Sequence, residues 1–530
     1  MQNLLNHKRK CLIAVLLMLH ALVQGQGKFT DRYWPLGDRA ALNFSNIQNP
    51  VGDTSVVYNR ISNEVSLCDS SGNLILYSAT NITVHPIYYD RNVNIYNNQH
   101  QLIKNGANLY GKTISICSKV FVPDPDNDSL IYYFTAFGHS TSGPYWIYYS
   151  IINLYQDNGK PEVIAKNILL SNNSYGAVTA IKHGNGKDWW LICFKDSVLV
   201  NNDCKFYAFL INSNGINSPV ISHINIQIFY GPPYLSASQN GNKISLCGAN
   251  SELYLFDFDR CSGQTSNMKK IGQISWPYLR IYDACEFSAS GRYLYTIETT
   301  IVSSPSPSQN QIYQYDTWAS NIFQSEVKLD SISFPVNDER VFLDYGIKRG
   351  PDDKIYISPY YYIDTCTFNN LLYCSSFHNA YSDSLIVINS PDSAGAACNI
   401  VRHGQYISNT GGRSASGLPN NPNYELGPLI GSPCDTLSVS VAEYAGHEFN
   451  FSLSPNPAKG SIEIIYQLPQ NKSGMFELYD VTGKKVFTYT LPPWSTLQHF
   501  DLSFLSNGMY HAVITSDGFT KAEKLVLLRP

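Results

Sequence analysis

Six times between about residue 60 and residue 390, a cluster of Gly, Asn, Asp or Ser leads at once into a run of apolar, aromatic and β-branched residues. The copies are Ser70 to Ala79, Asp126 to Ala136, Gly184 to Phe194, Asn240 to Cys247, Ala289 to Thr296 and Pro351 to Ser358. Their turn residues, Gly72, Asp128, Gly186, Gly241, Gly291 and Asp353, fall roughly 50 to 60 positions apart, the spacing of β-propeller blades with longish loops. A second strand-like run follows most copies, as in Trp146 to Ile151, Phe206 to Ile211, Leu253 to Phe258, Ile312 to Tyr315 and Leu385 to Ile388. Strand, tight turn, strand, longer loop is how a four-stranded blade looks in one dimension. Radial stacking buries both faces of each blade, which suits a chain with only 15% charged residues and 38 Tyr. Tandem β-sandwiches would place turn signals every 8 to 12 residues without the long period. The expectation is an all-β chain with a six- or seven-bladed propeller over 26–434.

The two ends differ from this body. His7, Lys8, Arg9 and Lys10 precede an apolar run from Leu12 to Val23, broken only by His20, and Gly25 offers a small residue before Gln26. That is signal-peptide architecture, with cleavage expected after Gly25. The run is too short for a membrane span of about 20 residues. Cys11 stands before the apolar run, against a lipoprotein anchor. A net charge of −4 gives no basic stripe, so no nucleic-acid partner is expected.

Export to an oxidising compartment favours disulfides. Eleven cysteines remain after residue 25, an odd number. Pairs across local hairpins, Cys193 with Cys204, Cys247 with Cys261 and Cys366 with Cys374, are sterically feasible, and buried free thiols are the alternative.

Residues 435–448 read as a linker, and 449–530 as a small immunoglobulin-like β-sandwich of about seven short strands. Four blocks stand out there: Leu453-Ser-Pro-Asn-Pro-Ala458, Leu478-Tyr-Asp-Val-Thr-Gly-Lys-Lys-Val486, Asp501-Leu-Ser-Phe-Leu-Ser-Asn-Gly-Met-Tyr510 and Lys524-Leu-Val526. In order and spacing they resemble the type IX (Por) secretion system C-terminal sorting domain, type A. The positions that carry the resemblance are Pro455, Asn456, Pro457, Asp480, Gly483, Lys484, Leu502, Gly508, Tyr510 and Lys524. The body, in stretches such as Leu255 to Cys261, Ala284 to Tyr295, Ile312 to Asp316, Leu385 to Asp392 and Gly417 to Asn420, is similar to secreted bacterial propeller proteins. These resemblances imply passage by the general secretion machinery, then the type IX outer-membrane translocon and its sortase. They place the protein at the surface of, or outside, a diderm bacterium.

Local chemistry is sparse. Asp124, Asp126 and Asp128 alternate, but Ser129 and Thr135 stand where a calcium loop needs Gly and Glu, so a solvated turn is expected. Asp257 and Asp259 share a strand face and could act as an acid/base pair, but polar-face residues of a half-buried strand are commoner and such neighbours seldom match the separations that glycosidases need. Gly412 to Gly417 lacks the spacing of a nucleophile elbow. His139, His183, His223, His378 and His403 are scattered. The aromatic pairs Trp189-Trp190 and Tyr145-Trp146 and the run Tyr360 to Tyr362 are either core or sugar-stacking platforms. No cofactor or metal is expected. Two functions follow: a binding or adhesion protein with a glycan or protein ligand, favoured by the lack of a catalytic constellation, or a propeller hydrolase or lactonase acting at the channel mouth.

Overall fold

The computed structural model describes residues 29–57, 64–84, 89–111, 117–138, 145–195, 204–224, 226, 233–248, 252–272, 279–301, 309–332, 341–363, 383–407, 413–414, 418–435, 450–468, 472–493, 497–517 and 519–529. The signal-peptide region, Cys366, Cys374, His139 and His378 lie outside them, as does most of the linker.

The body is a seven-bladed propeller. Blade 6 shows the plan: antiparallel strands Leu279–Phe287, Tyr293–Ile301, Gln309–Asp316 and Val327–Ile332 run in order from the channel outwards. Blade 5 (Tyr234–Ala237 to Thr265–Gly272) and blade 7 (Val341–Arg349 to Ile400–Tyr406) repeat it. Blade 2 is built on Ser66–Asp69, with Phe29–Thr30 paired on its inner side. Blades 3 and 4 merge in one eight-stranded sheet, because Lys160–Lys182 serves both. Its first part pairs with Tyr145–Asp157 as the outer strand of blade 3, and its last part with Trp189–Lys195 as the inner strand of blade 4.

The sequence repeat is one turn built over and over between the inner strand and the next. Gly72, Gly186, Gly241 and Gly291 all have φ between +70° and +88°, and Asp353 has +61°. Each donates its N–H to the carbonyl three residues earlier: Asp69, His183, Ser238, Ser288 and Gly350. A left-handed position there is what glycine tolerates without penalty, hence the motif. Blade 3 turns differently, with Asp124 Oδ1 accepting from the N–H groups of Asp126 and Asn127, so its three aspartates form a solvent-facing turn.

Blade 1 has no such turn. It is formed by Tyr33–Asp38, Ala40–Asn43 and Val51–Asp53, and its inner strand, Arg413–Ser414, comes from the far end of the body to pair with Gly37 and Asp38. The Gly412 to Gly417 stretch therefore supplies the strand that closes the ring. Blade 1 packs on blade 7 through Trp34, Phe44 and Tyr356, whose rings lie 4.9 to 5.6 Å apart.

After ring closure, residues 418–435 cross one face of the propeller as a strap. Asn421 exchanges hydrogen bonds with Ser66 of blade 2. Asn420 Nδ2 donates to the carbonyls of Lys119 and Val178, tying blade 3 to blade 4. Tyr424 donates to Phe121 O, and Asn423 to Gln239 O of blade 5. The strap ends in a disulfide between Cys434 and Cys261. The hairpin pairings Cys193–Cys204 and Cys247–Cys261 do not form. Cys193 stands opposite Tyr207, and Cys204 opposite Ile224, so the two sulfurs point from different rungs. Cys247 is a buried thiol outside any disulfide, as are Cys68, Cys117, Cys193, Cys204, Cys285 and Cys398.

The C-terminal unit is a two-layer β-sandwich. Asn450–Ser454, Ser461–Gln467 and Leu497–Asp501 form one sheet; Lys485–Leu491, Gly474–Tyr479, Gly508–Ser516 and Phe519–Leu527 form the other. Alternation along Ser461–Gln467 and Gly508–Ser516 sends Ile462, Ile464, Tyr466, Tyr510, Ala512 and Ile514 into a core with Phe476, Leu478 and Leu525. No helix among the described residues is long and apolar enough to cross a membrane.

Candidate functional site

The four blocks of the C-terminal sandwich converge on one end of it. Asn456 Oδ1 accepts from the N–H of Val526 at 3.0 Å, and its amide nitrogen donates to Lys524 O, so the first block grips the fourth. Ala458 and Val526 continue the grip through the backbone at 2.8 Å. Pro455 and Pro457 flank Asn456 in an exposed turn. Asp480 closes the second block: its Oδ1 accepts from the N–H groups of Thr482 (2.9 Å) and Lys484 (3.0 Å) and from the Thr482 hydroxyl. The Thr482 hydroxyl in particular holds the Asp480 carboxyl below the usual range. Gly483 occupies φ +81° in that turn. Register pairs Tyr479 with His511, which sets the Asp480 turn beside Gly508 and Tyr510. Tyr510 donates to Ser506 O, and the buried Leu502 donates its N–H to Gly460 O at 2.6 Å.

Two residues outside the ten complete this end. Arg529 donates to the carbonyls of Leu502 and Leu505, and Asn507 pairs with the Arg529 backbone in both directions. Asn507 lies inside the third block, but nothing in its local sequence marks it as the partner of a residue 22 positions away.

In the propeller, the polar concavity is a cavity of about 220 Å³ at the channel end crossed by the strap. It lies where the inner strands of blades 4 to 7 meet residues 420–426. Glu286 of blade 6 is 3% exposed; its Oε1 accepts from Ser236 Oγ (2.9 Å) and from the Phe287 N–H (3.0 Å). Among the described residues its Oε2 meets no hydrogen-bond donor, and it lies 3.6 Å from Lys348 Nζ of blade 7. Burial pushes the Asp31 carboxyl up to about 6, against the pull of Lys348 and Arg349. Burial, followed by the Arg260 charge, pushes Lys182 down to about 8; its Nζ donates to Tyr424 O at 2.7 Å. Asp353 and Glu425, each with a side chain 62% exposed, stand at the mouth.

Several of the other sequence candidates have structural roles. Trp189 and Trp190 are buried, Trp190 donating to Arg260 O and Trp189 packing edge-on against Tyr424 of the strap. Tyr145 is buried. Asp259 caps its own turn through the Cys261 N–H, while Asp257 pairs with Lys243 and Asn267. His183 contacts the Cys261 carbonyl and His403 the Ser384 hydroxyl. Among the described residues no three His, Cys, Asp or Glu side chains are grouped to hold a metal ion.

Residues 452–528 match the family model described as a secretion system C-terminal sorting domain. No curated protein matches the chain. Similar solved structures include the Dos1 propeller (10% identity, 71% of this chain and 79% of that one, TM-score 0.37). An exo-β-1,3-galactanase from Phanerochaete chrysosporium has 10% identity over 94% of each chain, with a TM-score of 0.31. The endo-arabinase from Bacteroides thetaiotaomicron has 10% identity over 49% of this chain and 93% of that one, with a TM-score of 0.28. At such identities and scores none of the three bears on what this chain binds. The sorting domain implies secretion to the cell surface or extracellular space of a diderm bacterium. This chain is a β-propeller protein that carries a type IX secretion C-terminal sorting domain.

Proposed function

We propose that the protein is a binding or adhesion protein which works outside the cell, with the propeller as cargo and the sandwich as its address. In this reading the general secretion machinery delivers the chain to the periplasm, and the type IX translocon recognises the sandwich by the end that carries the ten motif residues. A sortase then removes the sandwich within the linker, 435–448, leaving 26–434 on the surface or released. The observation that carries the reading is the convergence of all four sequence blocks on one end of the sandwich, where Asn456 grips Lys524 and Val526. A folding role alone would not require Lys484, Pro455 and Pro457 to stand exposed there.

Binding at the propeller is supported by the cavity mouth between the strap and blade 7. The hydrolase or lactonase reading has one observation in its favour: Asp31, Glu286, Asp353 and Glu425 all reach the same cavity. Against it, Lys348 lies by Glu286, and ion pairs hold Asp353 to Arg349 and Glu425 to Arg32. Incubating the purified body with immobilised glycans, immobilised extracellular proteins and chromogenic esters, lactones and glycosides separates the two. Retention without product formation is expected, and turnover of any substrate would decide for the hydrolase.

A further inference from the structure

We propose that the channel cavity is a binding site for a small zwitterion, a molecule carrying both an ammonium and a carboxylate group, of which a free α-amino acid is the simplest. The inference rests on the reading of the propeller as a binding protein and names the class of its ligand. Glu286 is held rigidly through Oε1 by Ser236 and the Phe287 backbone, while Oε2 is buried and lacks a donor. A buried carboxylate oxygen left in that state is costly unless something donates to it. Lys348 does not fill the role, because at 3.6 Å its ammonium stands beyond hydrogen-bonding reach. Both residues line the cavity, with the ammonium 3.6 Å from Oε2 and no hydrogen bond between them. A ligand ammonium satisfies Glu286 and a ligand carboxylate satisfies Lys348, each as a charge-assisted hydrogen bond.

The rest of the wall fits this ligand better than a sugar. It carries charges of both signs, Asp31 with Lys182, Lys348 and Arg349, together with the hydroxyls of Ser236 and Ser238. None of the described residues that line it is aromatic, so none offers a face on which a sugar ring would stack. At about 220 Å³ the cavity has room for a small amino acid. Exposed Asp353 and Glu425 at the mouth leave a route from solvent.

The test is isothermal titration of the full mature chain with L-alanine, L-lysine and L-glutamate. N-acetyl-L-alanine, L-alanine amide and glucose serve as controls. At least one free amino acid is expected to bind saturably, with the analogue that lacks either of its charges at least tenfold weaker and glucose silent. Glu286→Gln should weaken binding of the free amino acid at least tenfold. Lys348→Met provides the same reading if Glu286→Gln does not fold, and the analogue series on the parent chain decides independently of both. Absence of binding by all three amino acids, equal binding of the charge-deleted analogues, or preferential binding of glucose would each overturn the assignment. Capture of a glycan or protein in the preceding screen together with silence here removes only the zwitterion and leaves the binding reading standing.

Discussion

Cys261, in a turn of blade 5, is joined to Cys434, the penultimate residue of the strap, across 173 positions of sequence. The bond closes a loop that takes in the outer strand of blade 5, blades 6 and 7 and the ring-closing strand. Gly184 sits directly beneath it, and a Cβ there would come within 2.2 Å of the Cys434 sulfur.

Removing this bond should loosen the strap before it unfolds the ring. A loop of this length corresponds to about 5 kcal/mol of chain entropy in the unfolded state, and measured losses fall at about 2–5 kcal/mol. Cys434→Ser is expected to lower the denaturation midpoint by that order and to open residues 418–435 to proteases while the blades stay resistant. Limited proteolysis with mass spectrometry reads the site of the first cut.

Lys119 and Glu64 form a buried ion pair at 2.9 Å beside the channel, with side chains 3% and 1% exposed. Lys119 also donates to Thr80, and Glu64 accepts from the Thr80 N–H at 2.7 Å. Lys119→Met strands a buried carboxylate and should cost about 3–5 kcal/mol in chemical denaturation. Adding Glu64→Gln removes the charge and should recover more than half of that loss, as a double-mutant cycle would show.

Asp31 introduces a pH dependence with a defined sign. Its carboxyl titrates at about 6 in the folded protein against 3.8 for an unperturbed aspartate, so the folded state holds the proton more tightly. The stability this contributes is complete below about pH 4 and is lost as pH rises through about 6. Asp31→Asn should therefore leave the midpoint unchanged at pH 4 and raise it at pH 7, by at most about 3 kcal/mol. Melting curves of the two proteins at both pH values provide the check.

The features legible in the sequence are those set by neighbours along the chain. Gly72, Gly186, Gly241 and Gly291 announce their turns because a left-handed backbone position selects glycine wherever it occurs. Blade 1 leaves no seventh copy, because its inner strand is the two-residue Arg413–Ser414 and no hairpin turn leads into it. That is why the repeat allows six blades or seven. The strap was illegible for a different reason: Asn420, Asn421 and Asn423 look like loop residues until their amides find carbonyls and hydroxyls hundreds of positions away. The same holds for the Cys261–Cys434 bond, since spacing favours nearby partners and register then forbids them. In the sorting domain the blocks were visible as motifs, while their meeting at one end depends on strand pairing such as Tyr479 with His511. The cavity charges Asp31, Glu286 and Lys348 come from separate blades or segments, and no local pattern connects them.

The central claim is that the propeller is complete without the sandwich and reaches the outside only because of it. Cell fractionation with surface proteolysis, comparing the full chain with one ending at residue 448, tests this directly. The account predicts a truncated protein that is folded, disulfide-bonded and retained in the periplasm, while the full chain is found on the surface or in the medium. Normal surface display of the truncated chain would contradict it.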